Sequence, residues 1–143
     1  MDEFVEAADR WLVPVAGRSV TQCRLDYAFT LVVADESAGS FEIRIEQPFV
    51  VTSRGDEVVL DPEGEPARMA PALGLLRQDI EQAAAFKDGR LELSFTDGGV
   101  LSVPVGEDYE AWSIVGPAGL RIVSLPGGEL AIWSPDRDRG GFA

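Results

Sequence analysis

The spacing of polar and apolar positions changes along this chain, and each change marks an element. Phe41, Ile43 and Ile45 alternate with Glu42, Arg44 and Glu46, the period of a strand with one dry face and one wet face. Leu91, Leu93 and Phe95 alternate up to Thr96-Asp97-Gly98-Gly99, and Leu101, Val103 and Val105 alternate back. The Asp-Gly and Gly-Gly steps supply the positive φ that hairpin turns need. A second hairpin is predicted from Leu120 to Leu125 and Glu129 to Trp133, around Pro126-Gly127-Gly128. It follows a strand from Tyr109 to Val115 that Gly116-Pro117-Ala118-Gly119 closes. Upstream, Val20 to Leu25 and Ala28 to Val33 flank Asp26-Tyr27, predicting a tight hairpin or one long bent strand. Asp35 to Gly39 reads as a turn. Phe49 to Thr52 and Glu57 to Leu60 are short strands around Ser53-Arg54-Gly55-Asp56, and Pro48, with no N–H to donate, interrupts the ladder before them.

Two stretches carry helical spacing instead. Met69, Leu73, Leu76, Ile80 and Ala83 recur at intervals of three and four, which predicts one amphipathic helix near 69–86, with Gly89 as its stop. Phe4, Ala8 and Trp11 repeat the spacing over barely two turns, a short N-terminal helix or packed arm. The expected fold is therefore α+β: mainly antiparallel β, a curved sheet or a sandwich of about 8–10 short strands, with the helix on an apolar face. Residues 1–133 form a single globular domain in this reading, and the polar, Gly-rich residues 134–143 a frayed C-terminal tail.

Charge and composition narrow the chemistry. The 143 residues carry a formal net charge of −13, which repels nucleic acid and anionic membranes, so neither is an expected partner. The start, Met1-Asp2-Glu3-Phe4, lacks the basic and apolar regions of a secretory signal, and the expected location is cytoplasmic. With no histidine there is no His general base, Ser-His-Asp triad or His-ligated zinc, and Cys23 alone builds neither a disulfide nor a thiolate metal site. Cys23 falls in an alternating apolar stretch and reads as a buried structural thiol. The single lysine, Lys87, follows no phosphate-binding loop. No catalytic residue, cofactor or metal is expected.

Carboxylates are the plentiful reactive groups. Asp61, Glu63 and Glu65 alternate along a loop punctuated by Pro62 and Pro66, a spacing unlike that of a calcium loop. Glu42 and Glu46 share a strand face with Arg44 between them, a pattern open both to paired carboxylate chemistry and to a charge-paired wet face. Together Glu42, Glu46, Asp61, Glu63 and Glu65 are the candidate acidic surface for a basic protein partner. Trp11, Trp112 and Trp133, with Tyr27 and Tyr109, are candidates for core or for a ligand pocket.

The stretches Gln22 to Ala28, Ala111 to Pro117 and Pro126 to Trp133 resemble a family of small, uncharacterised bacterial domains, common in actinobacteria and of unknown function. The resemblance covers most of the chain from Trp11 to Trp133 and implies no activity, ligand or site residue. The leading functional expectation is a non-catalytic module that binds another protein, immunity- or antitoxin-like binding being one form. A small-molecule-binding domain with an aromatic pocket follows, then a carboxylate-dependent enzyme. A homodimer stays open.

Overall fold

Registers between the alternating segments assemble them into two antiparallel sheets. The computed structural model describes residues 3–34 and 39–134. Sheet I has seven strands in the order β1 (Val5–Glu6), β2 (Arg10–Leu12), β8 (Ile80–Phe86), β9 (Leu91–Phe95), β10 (Val100–Val103), β6 (Phe49–Ser53) and β7 (Asp56–Leu60). Sheet II has six, in the order β13 (Leu130–Trp133), β12 (Arg121–Ser124), β11 (Trp112–Val115), β5 (Phe41–Ile45), β4 (Phe29–Val33) and β3 (Val20–Leu25). The fold is α+β and mainly antiparallel, with thirteen strands among the described residues where about eight to ten were expected. Asp26-Tyr27 closes a hairpin, since β3 and β4 pair from Leu25↔Phe29 to Val20↔Val33. Residues 35–38 of the turn expected over 35–39, and 135–143 of the tail expected from 134, lie outside the described residues.

Alternation decides which side chains meet between the sheets. Phe29, Leu31 and Val33 of β4, Phe41, Ile43 and Ile45 of β5, and Trp112 and Ile114 of β11 point inward from sheet II. Phe49 and Val51 of β6, Leu91, Leu93 and Phe95 of β9, and Leu101 and Val103 of β10 meet them from sheet I. The rings of Phe29 and Phe49 stack across the interface with centroids 5.6 Å apart.

Two helix expectations are corrected. Near the N-terminus, β1 and β2 form a small hairpin in which Val5 pairs with Leu12 and Glu6 with Trp11, while Phe4 is buried. The helix near 69–86 starts where expected but ends early. A 3-10 turn over Pro66–Met69 runs into helix α1 (Ala70–Leu73), and Ile80–Phe86 is the strand β8. The buried positions are Met69, Ala72 and Leu75, while Leu73 and Leu76 stand exposed. Two physical features produce the helical spacing of 80–86. A bulge between Ile80 and Gln82 inserts one residue, so Ile80 and Ala83, three apart, both face the core. Beyond it Ala83, Ala84, Ala85 and Phe86 are all buried, so the strand shows no wet face. On the outer side the guanidinium groups of Arg10 and Arg90 each lie 4.4 Å from the Phe86 ring and cover it. Backbone pairing also competes with helix continuation: the N–H of Arg77 donates to Val20, and that of Ile80 to Arg18. Gly89 accordingly sits in the β8–β9 turn rather than at a helix end.

Since β5 runs into β6 through only Glu46, Gln47 and Pro48, the registers gather seven connections at one end of the sandwich: 7–9, 26–28, 46–48, 61–65, 87–90, 104–111 and 125–129. Half of that end is sealed. The turns 87–90 and 125–129 touch glycine to glycine, and a Cβ on Gly128 would stand 2.2 Å from the Asp88 carbonyl oxygen. Below them Trp112 is wholly buried, its Nε1–H donates to the Gly89 carbonyl at 2.9 Å, and the Ser124 hydroxyl donates to the same oxygen at 2.8 Å.

Candidate functional site

The other half of the same end is open, and it holds the two most exposed large hydrophobic residues among those described, Tyr27 (82 %) and Tyr109 (79 %). Both fall outside the strand periods, in turns where no inner face claims them. Tyr27 caps the β3–β4 hairpin, whose shape is set by Asp26: its N–H donates to the Ala28 carbonyl at 3.0 Å, and its Oδ1 accepts the Ala28 N–H at 2.7 Å. Tyr109 rides on the crossover from β10 to β11. That crossover is tied down along its length, since Gln47 Nε2 donates to the Pro104 carbonyl, the Gly127 N–H to Gly106 and the Glu46 N–H to Ala111. The tyrosines are thus presented to solvent from braced backbone.

Between them lies a groove of about 570 Å³ lined by Tyr27, Arg44, Glu46, Glu63, Tyr109 and Glu110. Arg44 stands 3.6 Å from Asp26 and 3.9 Å from Glu46, so its charge is shared between two carboxylates, and Glu63 and Glu110 add two more carboxylates to the lining. Accepting the Ala28 N–H holds the Asp26 carboxyl below the usual carboxylate range, with the Arg44 charge adding to the effect. The groove is therefore acidic and aromatic at neutral pH.

The five acidic residues expected to share one surface are divided. Glu46 and Glu63 meet in the groove. Glu42 lies on the outer face of sheet II, ion-paired to Arg24 at 3.2 Å, with both side chains about half exposed. An exposed pair of this kind contributes about 0–1 kcal/mol. Asp61 and Glu65 line a second groove, of about 720 Å³, between β7 and the Pro66–Met69 turn. The loop 61–65 separates the two grooves and is itself ordered by Asp61, whose side chain accepts the Glu63 N–H and whose carbonyl accepts the Gly64 N–H, each at 3.0 Å.

Glu110 was not legible as a member of the site, and the tyrosines were grouped with the tryptophans. The available signal was phase. Trp112 falls in step with Ile114 along a strand, whereas Tyr109 sits among Glu107, Asp108 and Glu110. Of the tryptophans, Trp112 is core, Trp11 packs at the core margin, and Trp133 is partly exposed beneath Arg121. Cys23 is half-buried against the core, and burial pushes its thiol up, away from the reactive thiolate. Lys87 pairs with Glu6 at 2.6 Å. Among the described residues no three His, Cys, Asp or Glu side chains gather as a metal site, and no helix is long and apolar enough to cross a membrane.

Residues 11–134 match a family of unknown function, DUF6188. The chain belongs to this family. No curated protein and no solved structure matches the chain. Membership in DUF6188 agrees with the resemblance carried by the turn-and-tryptophan stretches and assigns no activity, so the site must be argued from its own chemistry.

Proposed function

We propose that this DUF6188 domain is a non-catalytic, cytoplasmic protein-binding module that takes a lysine- or arginine-bearing surface into the groove between Tyr27 and Tyr109. The observation that carries this reading is the pair of tyrosines, four-fifths exposed on braced turns, with Glu46, Glu63 and Glu110 between them. Tyrosine rings bury large area at small entropic cost when a partner arrives. Their faces attract a cation, and the carboxylates neutralise it. The net charge of −13 adds long-range steering of a basic partner, which raises the association rate more than it slows dissociation.

The test separates the groove from the bulk charge. Binding of fluorescent deca-arginine is measured at low and moderate salt for the wild type, for Tyr27→Ala/Tyr109→Ala, and for Glu46→Lys/Glu63→Lys. The tyrosine variant keeps the full net charge, so general attraction predicts no change, whereas groove recognition predicts about a tenfold loss. Equal binding by the wild type and the tyrosine variant would sink the assignment of this groove.

A further inference from the structure

We propose that the open edge of β7 accepts an extended, lysine- or arginine-bearing segment of the partner as an eighth strand of sheet I. The inference rests on the basic-partner reading and adds the means of docking: backbone pairing along the groove beside the tyrosines.

Four strands end the two sheets: β1 and β7 in sheet I, β13 and β3 in sheet II. Natural edges are protected from stray pairing by shortness, bulges, proline or charge. Strand β1 is two residues long, β3 is broken by a register shift between Val20 and Gln22, and β13 has four residues with Trp133 under Arg121. Strand β7 is five residues long and pairs with β6 without a shift from Ser53↔Asp56 to Phe49↔Leu60. It has no proline and no bulge, and its only edge charges are acidic, from Asp56 and Glu57.

The turn fixes which backbone groups are on offer. Arg54 and Gly55, with φ of 53° and 84°, make a two-residue hairpin turn in which the flanking pair, Ser53 and Asp56, exchanges hydrogen bonds. Alternation then directs the N–H and C=O of Asp56, Val58 and Leu60 to β6, and those of Glu57 and Val59 to the open side. The Val59 side chain is 69 % exposed. It ends an outer-face row that the registers carry across all seven strands: Val5, Leu12, Ala84, Glu92, Ser102, Val50 and Val59.

The open side is a groove. Val58, Val59, Leu60 and Asp61 form one wall, and Gly64, Glu65, Ala67, Arg68 and Pro71 the other, around about 720 Å³. Four consecutive residues line the first wall, so the groove runs beside the strand rather than over one face. Its apolar floor suits alternate apolar side chains of an added strand, and Asp56, Glu57, Asp61 and Glu65 suit basic ones. Arg68 is held by Glu65 at 3.7 Å, which leaves the rim acidic. A second copy would lay this acidic edge against an identical one, so the charge selects a different, basic chain. The 61–65 loop is a wall of this groove and of the tyrosine groove, so one segment leaving β7 reaches both.

The probe is a nonapeptide of alternating lysine and valine, set against the same peptide with its five central backbone nitrogens methylated. Strand addition predicts at least tenfold weaker binding of the methylated peptide, and slowed amide exchange at Glu57 and Val59 when the unmodified one is bound. Val59→Pro removes one outward donor and no bond to β6, so it should weaken binding about tenfold with little change in melting temperature. Equal binding of the two peptides, or protection at another edge, overturns strand addition and leaves the tyrosine groove to its own test. Protection of Glu57 and Val59 in the free protein that grows with protein concentration also overturns it, because a second copy would then cover the edge. Should Val59→Pro unfold, the methylated peptide and the exchange pattern still decide.

Discussion

Trp112 and Tyr109 stand three residues apart at the same end of the sandwich, one wholly buried and the other 79 % exposed. Around Trp112 every group is committed: its N–H and the Ser124 hydroxyl converge on Gly89, and the Gly89 and Gly128 turns meet with no room for a side chain. Around Tyr109 the backbone is tied and the ring is free. The difference teaches that burial here is decided by strand phase, not by aromatic character. Inward positions of β11 close the fold, and the turn before it is left to face other molecules.

The strongest way to break the sealed half is Gly128→Ala, which should cost at least about 3 kcal/mol, because a Cβ there collides with the Asp88 carbonyl and the φ of 102° is already strained for alanine. Its neighbour gives the control. Gly127 has a φ of 87° but nothing within 4 Å of a Cβ, so Gly127→Ala should lose only the conformational part, about 1–2 kcal/mol. Equal losses in urea unfolding would show that the glycine contact does not hold the turns together.

Trp112→Phe comes next. It removes the bond to the Gly89 carbonyl and part of a packed ring, while Ser124 still satisfies that oxygen, for an expected loss of about 1–3 kcal/mol. On the open half, Tyr27→Ala and Tyr109→Ala should each change stability by no more than about 0.5 kcal/mol. A larger loss would mean that these rings brace the fold, and would blur the contrast.

The smallest expected effect is a pH dependence. The Asp26 carboxyl is held low by the Ala28 N–H, so its contribution is present above the unfolded carboxylate value and is lost as pH falls through the lower folded value. The melting difference between wild type and Asp26→Ala should therefore be constant above about pH 5 and shrink below about pH 4. A difference that persists at pH 2 would assign the effect to packing.

Much of the fold was legible because most strands alternate, and alternation survives wherever one face is wet, as in Phe41–Ile45 and Leu91–Phe95. It failed at β8, where a bulge and two covered faces imitate helical spacing. The pairing of sheets was invisible, since β5 meets β11 and β6 meets β10 across long stretches of chain that no local pattern records. The site was half legible. Glu46 and Glu63 were marked by charge, but their approach to Tyr27 and Tyr109 depends on which connections share an end of the sandwich.

That strand order also governs the chain while it is being made. The edge of β5 that finally pairs with Trp112–Val115 is synthesised before it by roughly seventy residues, several seconds of translation at about 5–20 residues per second. Until then that edge of β5 lacks its partner strand, and the edge of β6 waits in the same way for β10. A chain in synthesis therefore carries unpaired strand edges for those seconds, the kind of surface on which stray pairing and aggregation begin.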